Sequence, residues 1–335
     1  MFLRKALVAA VGVAVTATWT AAHAYEAGYP GAAQKPGVTL GGGSAGDPPP
    51  GIYMFDQFFT YQAKIVGPGA PNVGGNATTV HLANETNGFL FVPGWSFLGA
   101  TYDAVIVQPF NMVDISSPVN SVQAGAHNTY IVPVELSWKL ADSGFFIKTG
   151  LGIYVPDGTT SGVNGLGNVG APFWTFQPEF IVSYLKDGWN LTANIFEEFN
   201  TKNTITGYTS GDVLHAEFTA TKTIGNWTFG PVAYYAGQVS NDKSSAFYGG
   251  LINTNKYDIW AGGALVGYNF GPVQLNVWAT AESSTASGGT LDPFFTGRSP
   301  NAAYTTEGYS VFAQLSYRLW APDAPATTPK KLIYK

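Results

Sequence analysis

The most constraining feature of this chain is an alternation of apolar and polar residues with a period of two. Between Trp189 and Phe196, Trp, Leu, Ala and Ile alternate with Asn, Thr, Asn and Phe. The same pattern runs through 130–139 and 273–280. Successive side chains of a strand point to opposite faces, so each segment has one apolar and one mostly polar face. Strands of roughly 9 to 11 residues cross an outer membrane, and these segments match that length.

The alternating segments predict about twelve strands, an even number as in single-chain bacterial barrels. They cover 52–66, 88–98, 101–115, 128–140, 144–156, 172–186, 188–201, 209–223, 226–240, 255–270, 272–284 and 307–320. The predicted fold class is therefore all-β, a transmembrane antiparallel β-barrel of about 12 strands. The barrel is expected to occupy residues 51–320.

The connections between these strands alternate between short and long. The short ones fall at 141–144, 186–188, 224–226 and 271–272. The long ones, rich in Gly, Ser, Asn and Thr, fall at 67–87, 157–171, 241–254 and 285–306. Outer-membrane barrels have short periplasmic turns and longer external loops, so the alternation supports a barrel over a soluble sandwich.

Composition points the same way. Only 11% of the residues are charged, 15% are aromatic, and there is no Cys. Aromatic side chains of outer-membrane barrels gather at the two membrane interfaces. Six Trp and Tyr residues are predicted at strand ends: Trp138, Trp174, Tyr184, Trp189, Trp227 and Tyr257.

Both ends of the chain differ from the barrel in pattern. Arg4 and Lys5 precede an apolar run over 6–18, and a small-x-small motif at 22–24 completes a secretory signal peptide, predicted as residues 1–24. Residues 25–50 are rich in Gly and Pro and lack periodicity, which fits either a tail or a plug in the barrel. Residues 321–335 are predicted to form a periplasmic C-terminal tail.

Four short stretches carry a family resemblance: Pro48 to Tyr53, Trp174 to Tyr184, Phe199 to Gly211 and Leu315 to Leu319. In their order and spacing they resemble the meta-pathway of phenol degradation family, also called SphA-like outer-membrane barrel proteins. The resemblance implies an outer-membrane barrel that takes up small hydrophobic compounds, aromatic ones among them. The chain departs from the family in its C-terminal tail, which leaves recognition by the barrel-insertion machinery to Tyr317 and Leu319.

If the apolar faces meet lipid, the polar faces line the lumen. This assigns to the lumen Asp56, Gln62, Lys64, Glu135, Lys139, Lys148, Gln177, Glu179, Asn194, Glu198, His215, Glu217, Glu282 and Arg318. Ionisable groups at membrane depth are expensive unless hydrated or paired. Acids and bases together therefore indicate ion-pair networks that hold the wall, or charges that line a conduit or gate.

The sequence offers little support for catalysis or metal binding. His215 and Glu217 share a strand face, but no second His or Ser nucleophile converges on them. No catalytic residue, metal or cofactor is therefore predicted. The formal net charge of −5 and the absence of a basic stripe argue against a nucleic-acid partner.

The predicted function is an outer-membrane channel for small hydrophobic compounds, with membrane lipid and the solute as partners. One alternative is a general diffusion porin, which would conduct ions with little preference for apolar solutes. Another is a structural or adhesive barrel that acts through the external loops 67–87, 157–171 and 285–306.

Overall fold

The computed structural model describes residues 26, 28–42, 45–70, 72–161, 168–248, 256–287 and 303–322. In this part of the chain, 12 antiparallel strands form one closed barrel. The strands are β1 Gly51–Val66, β2 Thr79–Val92, β3 Ala100–Ile115, β4 Tyr130–Lys139, β5 Phe145–Tyr154, β6 Thr175–Lys186, β7 Trp189–Asn200, β8 Val213–Ile224, β9 Trp227–Gln238, β10 Tyr257–Asn269, β11 Val273–Ala286 and β12 Thr305–Trp320. The predicted fold class is confirmed.

Each strand pairs with the next one along the chain, and β12 pairs with β1 to close the sheet. The closing register places Phe59 opposite Phe312 and Tyr61 opposite Ser310. Closure pairs the backbone groups that an open sheet would leave at its edges, which a lipid environment could not hydrate. The described residues contain no helix that is long and apolar enough to cross a membrane.

The connections are sorted by side, as predicted. Tight turns lie at the periplasmic end of the barrel, the end at which β12 terminates. Several contain residues in the left-handed backbone conformation, such as Asp187 (φ 53°) and Gly188 (φ 77°). Positive φ at both central residues is the type I′ geometry that suits a two-residue hairpin. The longer connections lie at the opposite, extracellular end.

The second strand was predicted wrongly. The segment 88–98 is not one strand: its first residues, 88–92, are the end of β2, and a turn that contains the short strand Ser96–Phe97 follows. The polar residues 79–87, which the sequence pattern places in the long connection 67–87, form most of β2. Gly88 itself faces Phe55 of β1, and a Cβ at this position would lie 2.0 Å from the ring carbon Cζ.

The predicted fourth strand, 128–140, agrees closely with β4, but a separate short strand precedes it along the chain. Ser121–Ala126 pairs with the extracellular half of β3, and the chain then bulges at 127–129 before β4 begins. A bulge of this kind kinks a strand without ending its pairing with the neighbour. It places His127 and Asn128 in the barrel wall as buried residues.

Most of the predicted interfacial aromatics lie on the outer surface. Trp174, Trp189 and Trp227 are exposed. Tyr257 is the exception, since it is buried and its hydroxyl donates to the carbonyl oxygen of Gly31 at 3.3 Å. A position at the start of β10 does not by itself indicate whether the Tyr257 side chain points to the inner or the outer face.

The segment before β1 lies inside the barrel. Its backbone N–H groups between Ala33 and Ala45 donate to side chains on β6, β7 and β8. The Trp278 indole of β11 donates back to the carbonyl oxygen of Gly37 at 3.1 Å. We refer to residues 26–47, as far as they are described, as the lumenal segment. The predicted signal peptide and all but residues 321 and 322 of the predicted tail lie outside the described residues.

Candidate functional site

Most of the polar residues assigned to the lumen lie on the inner face of the barrel. Nine of the side chains are buried there: Glu135, Lys148, Gln177, Glu179, Asn194, Glu198, His215, Glu217 and Glu282. Lys139 and Arg318 share the inward side of their strands but lie exposed at the periplasmic opening. Arg318 donates to the carbonyl oxygen of Pro50 and lies 5.5 Å from the ring centroid of Tyr53.

The assignment is wrong for Asp56, Lys64 and Gln62, which lie on the outer face of β1. The inner face of this strand is formed by the alternate residues, among them Gln57 and Phe59. Lys64 instead pairs with Glu307 across the outer surface, with Nζ 3.1 Å from Oε1. The rule that apolar residues face lipid fails here, because β1 carries apolar side chains toward the lumen.

Two wall glutamates bind the backbone of the lumenal segment. Glu198 of β7 accepts the N–H groups of Ala33 at 2.7 Å and Gln34 at 2.8 Å. Glu217 of β8 accepts the N–H of Gly37 at 2.7 Å. Carboxylates that accept backbone N–H groups form charge-assisted hydrogen bonds, which are stronger than neutral ones. The irregular segment therefore finds partners for N–H groups that no sheet or helix satisfies.

A third glutamate binds the segment through a side chain. Lys35 Nζ lies 2.9 Å from Oε1 of Glu282 on β11. The hydroxyls of Tyr61 and Tyr234 donate to the same carboxylate at 2.5 and 2.6 Å. Lys35 Nζ also lies 4.2 Å from the centroid of the Tyr61 ring. The buried ion pair is thus surrounded by further polar and cation–π contacts, as a desolvated charge pair requires.

A separate charged cluster lies in the wall between β3 and β6. Lys148 Nζ lies 2.9 Å from Oδ2 of Asp103 and 3.2 Å from Oε2 of Glu135. Glu179 is the third buried carboxyl group of this cluster. Asp103 was not among the predicted lumen residues, because β3 has apolar residues on both faces and gives no clear polar periodicity.

His215 has a structural environment. Its ring stacks on Phe196 with centroids 4.5 Å apart, and Nε2 lies 3.3 Å from Oε1 of Glu198. The described residues contain no group of three His, Cys, Asp or Glu side chains that could hold a metal ion. His215 thus packs beside Glu198, the residue that binds the backbone of the lumenal segment.

A cavity of about 1200 Å³ separates the lumenal segment from the wall formed by β1 to β4. Its lining runs from Ile115 and Thr305 at the extracellular end to Phe55 and Pro48 at the periplasmic end. The wall opposite the segment is mostly apolar, with Leu82, Leu90, Val105, Val107, Val113 and Ile115 facing the cavity. The lumenal segment thus fills the side of the lumen where it is hydrogen-bonded to β6, β7 and β8. The space beside the apolar wall of β2 and β3 is left open.

The comparisons with known proteins agree with this architecture. The family model of the MetA-pathway of phenol degradation matches residues 63–291, which is more than half of the chain. The chain belongs to this family. The family resemblance is confirmed, and two of the four short stretches, 174–184 and 199–211, lie within the matched residues.

Solved structures of outer-membrane barrels are similar to this phenol-degradation family member. An outer-membrane channel from Pseudomonas putida F1 matches 85% of this chain and 99% of its own, with a TM-score of 0.63 and 10% identity. The β domain of the Bordetella autotransporter BrkA matches 80% and 100%, with a TM-score of 0.43 and 14% identity. A deletion mutant of the TodX monoaromatic hydrocarbon channel matches 89% and 97%, with a TM-score of 0.41 and 8% identity. A search of curated proteins gives no match.

The first of these similarities assigns the fold. This family member is an outer-membrane barrel, and its predicted location in the bacterial outer membrane is confirmed.

The residues that sequence reasoning missed are the apolar ones that line the cavity. Their signal in this family member is an uninterrupted apolar run, such as 104–107 (Ala-Val-Ile-Val) in β3 and 89–92 (Phe-Leu-Phe-Val) in β2. In a strand that faces a polar lumen on one side and lipid on the other, polar and apolar residues alternate. A strand that is apolar on both faces appears in the sequence as a continuous apolar run. These runs therefore mark the part of the wall that borders the cavity.

Proposed function

We propose that this protein is a channel through which small hydrophobic compounds cross the outer membrane, along the cavity between the lumenal segment and the apolar wall. The observation that carries the proposal is the row of Leu and Val side chains on β2 and β3 that faces the cavity, opposite the hydrogen-bonded lumenal segment. An aqueous pore gains nothing from such a wall. An apolar solute gains the free energy of leaving water, about 25 cal/mol per Å² of apolar surface.

The position of the lumenal segment supports the same proposal. It is bonded to Glu198, Glu217 and Glu282 on the polar side of the lumen, so the charged groups there are already paired. Because the lumenal segment occupies the space beside these three glutamates, we expect no wide hydrated path for ions along them. The remaining space of about 1200 Å³ is somewhat larger than sites that bind small organic molecules, which are typically about 300 to 1,000 Å³, so it has room for such a solute.

The test combines conductance with solute binding. The mature protein is studied in planar bilayers for single-channel conductance and in lipid nanodiscs for binding of radiolabelled toluene, with empty nanodiscs subtracted. We expect low conductance and saturable toluene binding. Val107→Asp should weaken toluene binding about tenfold, since it places a carboxylate in the apolar lining and 1.4 kcal/mol corresponds to tenfold. Val107→Ile, which keeps the lining apolar, is the matched control.

Other outcomes would replace the proposal. Large steady conductance without toluene binding would indicate a general diffusion porin. Neither conductance nor binding would favour a structural or adhesive role carried by the external loops. Export through residues 1–24 and recognition by the insertion machinery through Tyr317 and Leu319 stay predictions.

A further inference from the structure

We propose that Asn84 and Asn111 form a hydrogen-bond donor site in the apolar wall, which selects uncharged apolar compounds that carry an acceptor oxygen. The inference rests on the proposed channel function and specifies its solute class. Ketones, esters and ethers of small apolar molecules have the required chemistry.

The two asparagines lie opposite each other on β2 and β3, in the extracellular half of both strands. Both line the cavity, where Leu82 and Val113 are their neighbours two positions along the strands. Asn84 is only 8% exposed. An amide pair in a lining of Leu, Val and Ile is not needed for closure of the wall, because the backbone pairing of β2 with β3 already provides it.

The hydrogen bonds in this site run in one direction. The Thr86 hydroxyl donates to Oδ1 of Asn84 at 2.8 Å. Nδ2 of Asn84 donates to Oδ1 of Asn111 at 2.6 Å and lies 3.4 Å from the carbonyl oxygen of Phe110. A backbone carbonyl can only accept, so it fixes the amide of Asn84 with its nitrogen toward β3.

This direction determines what Asn111 offers to the cavity. Its Oδ1 is occupied by Asn84, and its Nδ2 makes no hydrogen bond to another residue in the described part of the chain. The free group is therefore a donor. A donor beside apolar side chains is favourable only when an acceptor reaches it, and a site built around such a group discriminates against molecules that lack the acceptor.

The charges around the cavity favour an uncharged solute. Among the described residues, two ammonium groups line it, and both are paired, Lys35 with Glu282 and Lys148 with Asp103 and Glu135. Glu179 adds a further carboxyl group to the lining. A carboxylate solute would find no unpaired lysine and several acids, so its binding would be opposed by like charge. The neutral amide of Asn111 suits a neutral acceptor.

The experiment uses three probes of similar size that differ in one group: acetophenone with a carbonyl, ethylbenzene without an acceptor, and benzoate with a charge. Binding of each radiolabelled probe is measured with the full mature chain in nanodiscs, for the wild type, Asn111→Leu and Asn111→Asp. Asn87→Leu is the matched control, since Asn87 lies on the outer face of β2. We expect wild type to bind acetophenone about tenfold more tightly than ethylbenzene, the effect of one hydrogen bond.

Asn111→Leu should abolish this preference by weakening acetophenone binding while ethylbenzene binding is kept. Asn111→Asp, which keeps the side-chain size but removes the donor, should also lose it, and Asn87→Leu should retain it. Equal wild-type binding of acetophenone and ethylbenzene would overturn the donor site and leave the channel proposal intact. Tight benzoate binding would overturn the selection for uncharged compounds. Binding of none of the probes would instead count against the proposed function itself.

Discussion

Glu217 and Thr39 are joined by two hydrogen bonds, one from the threonine hydroxyl at 2.6 Å and one from its backbone N–H at 3.1 Å, both to Oε2. The other carboxylate oxygen accepts the N–H of Gly37. One buried side chain of β8 therefore holds three donors of a segment that lies about 180 positions earlier in the sequence.

Replacement of Glu217 by Ala should loosen the lumenal segment. Hydrogen bonds to charged groups contribute about 1.5 to 3 kcal/mol each, and the variant loses three of them. We expect single-channel conductance in planar bilayers to rise several-fold and to become noisy. Glu85→Ala removes a carboxylate from the outer face of β2 and should leave conductance unchanged. Unchanged conductance in Glu217→Ala would show that other contacts suffice to hold the segment.

A covalent tether tests whether solutes pass beside the lumenal segment or displace it. The backbone N–H of Ala45 donates to the hydroxyl of Ser183 at 2.9 Å, and the chain has no native Cys, so Ala45→Cys with Ser183→Cys introduces a single possible disulfide. We expect toluene transport into proteoliposomes to be equal in the oxidised and reduced forms. Each single-Cys variant is the control. Transport that appears only after reduction would mean that the segment has to move.

Lys148 is expected to be necessary for the stability of the barrel. Lys148→Met would leave the carboxyl groups of Asp103, Glu135 and Glu179 buried without a cation, and breaking a buried charge pair costs about 3 to 5 kcal/mol. Urea unfolding followed by tryptophan fluorescence should show the loss. Lys139→Met removes an exposed pair with Asp142 and should change the free energy of unfolding by less than about 1 kcal/mol. Similar effects of the two variants would contradict the charge argument.

Gly41 should be far less tolerant of Ala than its neighbour Gly42. Gly41 has a φ of +80°, and an added Cβ would lie 2.2 Å from Cδ1 of Leu265. At Gly42 the nearest atom to such a Cβ would be Nε2 of Gln314 at 3.8 Å, an ordinary contact. Gly41→Ala should therefore displace the lumenal segment and expose it to added protease, measured by mass spectrometry of the fragments. Gly42→Ala should leave the cleavage pattern as in the wild type.

The sequence was informative where the barrel follows the common pattern. From β6 to β9 the strands alternate, and Gln177, Glu179, Asn194, Glu198, His215 and Glu217 all lie on the inner face. The two-residue period is a property of strand geometry. The division of a strand's residues between its two faces can therefore be predicted from that strand alone. The chain order of short and long connections likewise sorts the loops by side, whatever the details of packing.

The same reasoning failed for β1, where the outer face carries Asp56 and the inner face carries Phe59; β2 has the same arrangement, with Glu85 and Asn87 outside and Leu82 inside. Periodicity says that two faces differ, but it does not say which face meets lipid. That choice depends on what fills the lumen behind the strand. Here the apolar side chains border a cavity, and only the assembled barrel reveals it.

By itself, the sequence determined the fold class, most strand positions and the polar inner faces, because these follow from local alternation and turn chemistry. The tertiary structure decided that the lumenal segment binds Glu198, Glu217 and Glu282, and that Asn84 meets Asn111 beside the cavity. The contacts of these three glutamates with the segment join residues at least 164 positions apart, and an irregular segment has no period that could predict its partners. Closure of the barrel brings these groups together, and their hydrogen bonds then decide which part of the lumen is filled and which part stays open.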